Sequence, residues 1–97
     1  MAVVLISSDA IDAQMAGPGI RYWEFARHLS QHHEVILLTP NVSSLSHPHV
    51  EMVQLTPHAL KMALRRAEVV VTQGFMFHFA PLFLQNAPVV VDLSFPL

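Results

Sequence analysis

Two of the chain's three glycines stand together in Gly17-Pro18-Gly19, with Arg21 close behind and the third, Gly74, far downstream. Glycine at 17 and 19 permits close approach of a ligand to the backbone. Pro18 suits the first turn of a helix, where its missing N–H costs nothing. The free N–H groups of such a helix start point at an anion, and Arg21, one turn in, offers a charge-assisted bond to phosphate or carboxylate. The same tripeptide also serves simply to turn a chain into a helix. Short glycine motifs occur often enough by chance that local chemistry leaves both readings standing.

Other chemistries are excluded one by one. A dinucleotide fingerprint needs a third small residue where Tyr22 stands, a start directly after the first strand, and an acid after the second strand, where Thr39-Pro40-Asn41 stands. Asp9 and Asp12 resemble the acids of a response regulator, but the phosphorylatable Asp expected at the end of the third strand is replaced by Gln54-Leu55-Thr56. Seven histidines invite a metal. His32 and His33 are adjacent and point apart, His47 and His49 lie in a loop, and zinc wants three or four convergent ligands. His28, His32 and His33, near a helix C-terminus, are explained by the macrodipole. No Ser-His-Asp order with a nucleophile elbow is present. Metal and cofactor are both expected to be none.

Composition narrows the class further. With 97 residues, 53% hydrophobic and 12% charged, the chain is one globular domain rather than a disordered one. The charged share is about half the usual ~25%, so some apolar surface is expected to face a partner. Five basic against seven acidic residues give a net charge of -2, without the basic stripe that nucleic acid requires. The absence of cysteine removes disulfides and thiol chemistry and fits a reducing cytoplasm. The first ten residues, without a basic start and with only a five-residue apolar run, are not expected to be a signal peptide. The most apolar stretch, Phe75 to Leu84, is about half the roughly 20 residues a bilayer span needs. The expected location is cytoplasmic, with a membrane-peripheral position left open.

The elements that must position the glycines follow from periodicity. Ala2 to Ile6 and Glu34 to Thr39 are short apolar runs of the kind buried on both faces of a parallel sheet. Val50 to Leu55 alternates more and reads as a strand nearer an edge. Val69 to Thr72 and Val89 to Asp92 are β-branched candidates. After Pro18, residues Tyr22, Phe25, Ala26 and Leu29 share a helix face. Thr56-Pro57 opens a second helix by cap and proline, with Leu60, Ala63, Leu64 and Ala67 on one face. A short third helix is expected over Phe79 to Asn86. Alternating buried strands and helices predict an α/β Rossmann-like three-layer fold over 1–97, with a parallel sheet of order 3-2-1-4-5. Between strands 2 and 3 only a Ser- and His-rich loop is expected, so a parallel strand 3 requires a shortened crossover.

In such sheets ligands bind beyond the strand C-termini where the order reverses, here between strands 1 and 4. The loop entering the first helix is about eleven residues against an ordinary 2–6. It holds Gly17 and Gly19, while the loop after strand 4 holds Gly74 and His78. Phe75, Phe77, Phe79, Leu82, Phe83 and Leu84 crowd that second exit, mostly as core. Met15, Met62 and Met76 are expected to fill core gaps.

Three segments carry a family resemblance. Met15-Ala16-Gly17-Pro18-Gly19-Ile20-Arg21-Tyr22-Trp23-Glu24-Phe25-Ala26 resembles the "aGPGiRywelA" opening of retaining, group 1 glycosyltransferases of the GT-B fold. His33 to Pro40 is similar to their "heVtlltP" second strand, and Pro88 to Leu93 to their "PvVvDl" strand. The resemblance implies the N-terminal, acceptor-side half of a two-domain sugar transferase, truncated before the remaining strands. Gly17 and Gly19 would then lie in the interdomain cleft by the donor diphosphate, with Arg21, Gly74, His78 and Asp92 as further substrate-binding positions. The donor-binding domain, with its nucleotide-sugar site, would be the missing C-terminal partner. Many members carry a His two residues beyond Asp92, where Ser94 stands, and closer relatives a second Asp where Phe95 stands. No catalytic residue is therefore carried over. The fragment alone is expected to be inactive, since half a cleft supplies neither proximity nor electrostatic stabilisation. It is also expected to form a homodimer through its uncovered strand 5. The alternative reading is a non-catalytic α/β protein-interaction module.

Overall fold

The computed structural model describes residues 2–14, 17–73 and 88–92. The expected third helix, Gly74, His78, Met15, Met76 and the phenylalanine-rich segment lie outside them. Along the chain come β1 (Ala2–Ile6), α1 (Gly17–Leu29), β2 (Glu34–Thr39), β3 (Val50–Gln54), α2 (Pro57–Arg66) and β4 (Ala67–Gln73). These make an α/β structure whose parallel strands lie in the order β3-β2-β1-β4. A further segment, β5 (Val89–Asp92), runs parallel beside β4, with Val70 opposite Val89 and Gln73 opposite Asp92.

β1 is central, and all five of its residues are buried. Its side chains alternate between two apolar layers, as a strand's period of two requires. Ala2, Val4 and Ile6 join Ile36, Leu38 and Val70 against Leu60, Ala63 and Leu64 of α2. Val3 and Leu5 join Val35 and Leu37 against Tyr22 and Ala26 of α1. The helices thus cover opposite faces. This is why the runs in β1 and β2 are continuously apolar rather than alternating. Each fully buried Val, Leu or Ile stabilises the fold by about 1.5–3 kcal/mol, so the chain's stability is concentrated in these strands.

β3 sits beyond β2 at the sheet edge, with only Val50 buried. It is parallel to β2 although residues 40–49 contain no helix, so the crossover is indeed the short form. α2 starts as its sequence foretold. The Thr56 hydroxyl accepts from the Ala59 N–H at 3.0 Å, and Pro57 follows in the first turn.

Several expectations need correction. α1 begins at Gly17, so Gly17-Pro18-Gly19 is the helix's first turn and not part of the loop. Phe25 is not core. It is 38% exposed, because at 100° per residue it falls on the flank of the stripe centred on Tyr22, Ala26 and Leu29. Met62 is 46% exposed, lying on the side of α2 opposite Leu60 and Leu64. Ala67 belongs to β4, which begins directly where α2 ends, in extended backbone (φ -74, ψ 130). There the register between β1 and β4 shifts between Ala2 and Val3, so Glu68 is passed over. Its carboxylate lies 3.6 Å from His33 Nδ1.

Candidate functional site

The strands' C-terminal ends carry two irregular segments side by side, residues 7–14 after β1 and 40–49 after β2. Ser7 extends the ladder one step, its N–H donating to the Leu38 carbonyl at 2.9 Å. Its hydroxyl then donates to the Asp9 carbonyl at 2.7 Å. Ile11 plunges into the α1-side core and is fully buried.

Around Ile11 the two loops are clasped. The Asn41 side chain accepts from the Ile11 N–H and donates to the Ile11 carbonyl, both at 3.1 Å. This pair of bonds satisfies the backbone of one residue as a neighbouring strand would. Thr39 Oγ1, buried at the end of β2, donates to the Asn41 carbonyl at 2.7 Å. Next along, Asp12 Oδ1 accepts from the Ala13 N–H at 2.9 Å, from the Ser44 N–H at 3.2 Å and from the Ser44 hydroxyl. The Ser44 hydroxyl is the main reason the Asp12 carboxyl titrates below its ordinary 3.8, with the Ala13 N–H second. Each of these bonds stabilises the charged form.

The loop from β1 delivers the chain to α1. No acid stands in α1's first turn, so none of its own residues there competes with an anion for the positive end of the helix dipole. Gly17 is exposed, and a Cβ built on it would meet nothing within 4 Å. Gly19, two residues on, is buried. Among the described residues no glycine has a positive φ. The Arg21 guanidinium lies 5.2 Å from the centre of the Phe25 ring. That ring lies one turn further along the helix than Arg21. Such a stack is worth about 0.5–1 kcal/mol at an exposed site. Asp92 ends β5, its backbone level with Gln73 of β4. Gly74 and His78 are beyond the described residues, so Gly17, Gly19 and Arg21 are brought together on α1 while Asp92 stands two strands away from β1.

A second buried hydroxyl belongs to this end of the sheet. Thr72, opposite Ile6 in the register, is fully buried, and its Oγ1 has no hydrogen-bond partner among the described residues.

Among the described residues no group of three or more His, Asp or Glu is arranged to hold an ion. His28, His47 and His49 do line one hollow of about 260 Å³ with Glu24, Arg27 and Gln31. It lies by the later turns of α1 rather than its first, and Arg27 is already paired to Glu24 at 2.9 Å.

Sequence reasoning missed Asn41 and Ser44, and weighed Asp12 only for a response-regulator role that it set aside. A polar residue after Thr39-Pro40 is a turn signal, but partners about thirty residues apart leave no trace in spacing.

No family model, curated protein or solved structure matches the chain. Among the described residues no helix is long and apolar enough to cross a membrane.

Proposed function

We propose that this chain is the acceptor-side, N-terminal domain of a GT-B glycosyltransferase, with the sheet order 3-2-1-4-5 of a Rossmann-like half. In the whole protein a C-terminal domain would bind a nucleotide sugar and deliver the sugar to an acceptor across the cleft. The first turn of α1 would face the donor diphosphate. Gly17 and Gly19 would offer backbone, and Arg21 a charge once it leaves Phe25. Gly74, His78 and Asp92 would line the same cleft.

The observation that carries this reading is Gly17. A residue with no steric neighbour and no positive φ has no need to be glycine for folding. Glycine there costs the helix some stability, and close passage of a ligand is a reason to keep it. The resemblance of three segments to the family gives that ligand its identity.

A nitrogen-15-labelled sample titrated with uridine diphosphate tests the reading. The expected result is a set of amide shifts confined to Gly17, Gly19, Ile20 and Arg21. Shifts scattered elsewhere, or none up to millimolar nucleotide, return the glycines to a plain turn.

The interaction-module reading draws on a different observation. Phe25 is 38% exposed on α1, and with the Arg21 guanidinium 5.2 Å from its ring it presents an aromatic and cationic surface of the kind protein partners use.

A further inference from the structure

Two irregular loops that follow neighbouring parallel strands are free, in principle, to move separately. Here they are not. Residues 7–14 and 41–44 are joined by four hydrogen bonds that span 30 to 32 positions of sequence, and Ile11 is driven into the core beside them. We propose that Asp12 and Asn41 are positioning residues, which with Ser44 lock the two loops into one body and so fix where the first turn of α1 stands.

The argument is mechanical. The loop after β1 is long for a strand-to-helix connection, and ordering each of its residues costs about 1–2 kcal/mol of backbone entropy. Ile11 supplies one apolar anchor. At residues 11–13 a further restraint is polar and comes from the β2 side, so a change in residues 41–44 is felt there. Asn41 suits the task because a single planar amide satisfies both the donor and the acceptor of Ile11. Asp12 suits it because a carboxylate collects several donors at once, and bonds to a charged acceptor are the stronger kind. The use of α1's first turn as a nucleotide contact rests on the function proposed above; the lock itself does not.

The test uses the full chain and four variants, Asn41→Ala, Asp12→Ala, Asp12→Asn and Ser44→Ala. Amide hydrogen exchange is followed at Ile11, Ala13 and Ser44, together with the amide shifts of Gly17, Gly19 and Ile20. Asn41→Ala should speed exchange at Ile11 by about tenfold, as should Asp12→Ala at Ala13 and Ser44, the measure of one lost hydrogen bond. Asp12→Asn keeps a carbonyl acceptor and should fall between Asp12→Ala and the parent. The α1 first-turn amides should shift in the alanine variants while the amide shifts of β1 residues 2–5 stay in place. Ser44→Ala removes a single hydroxyl bond and provides a folded variant if the others do not fold.

Exchange unchanged in every variant would show that Ile11 packing alone holds the loop, and overturn the proposal. So would faster exchange with no movement of the first-turn amides, because the loops would then be joined without positioning anything. A uridine diphosphate titration separates the two readings. Nucleotide binding weakened several-fold in Asn41→Ala supports both. Failure of the unmodified chain to bind nucleotide removes the first turn of α1 as a nucleotide contact, and leaves the lock to stand or fall on exchange and shifts.

Discussion

The side chain that Gly17 lacks would project into open space. Gly17→Ala should therefore raise the stability of this chain by about 0.4–1 kcal/mol, the usual gain where alanine fits the native backbone. In thermal melts it should be neutral to stabilising, while under the proposed function the uridine diphosphate shifts at the first turn of α1 should weaken. A loss of stability would mean that glycine is needed for the fold itself. Thr72 supplies the complementary case. A buried hydroxyl without a partner costs about 1–3 kcal/mol of desolvation, so Thr72→Val, which keeps the shape and drops the oxygen, should stabilise by roughly 1 kcal/mol. Urea denaturation measures it, and destabilisation would mean that the hydroxyl is used.

At the scale of elements, α2 depends on its cap. Thr56→Ala removes the bond to Ala59 and should cost about 1 kcal/mol, with Thr56→Ser restoring most of it. At the other end of α2, Arg66 forks between Glu34 at 2.9 Å and Glu51 at 3.0 Å. It ties the helix to two strands, but as an exposed network it contributes at most about 1 kcal/mol and fades with salt. The loop clasp has its own pH signature. Folding lowers the Asp12 carboxyl below 3.8. Its contribution is therefore fully present above that value and lost as pH falls through the lower folded one. Exchange at Ser44 should accelerate there in the unmodified chain, and the acceleration should be absent in Asp12→Asn.

For the molecule as a whole, the question is where its apolar excess goes. Much of it is internal, because the sheet is buried on both faces. Some is not. Val90 of β5 is 52% exposed, in a strand with no lysine or proline between Val89 and Asp92 to blunt it as an edge. The chain is predicted to associate into a twofold dimer at micromolar concentration. Size exclusion with light scattering decides it, and a clean monomer at 10.8 kDa would show that this exposed surface is too small to drive pairing.

Strand positions, helix faces and the α2 cap were legible in the sequence because each is set by residues within a few positions of one another. Val35 to Leu38 reads as a doubly buried strand because the run is short, β-branched in part and closed by Thr39-Pro40. Thr56-Pro57 had to start a helix for equally local reasons. The flank positions of α1 were less legible, because Phe25 lies where a small rotation of the helix decides between core and solvent. The clasp of Asn41 on Ile11 and of Ser44 on Asp12 could not be read at all. Hydrogen bonds between distant loops depend on which strands lie side by side, and only the parallel pairing of β1 with β2 brings those residues within 3 Å or so of each other.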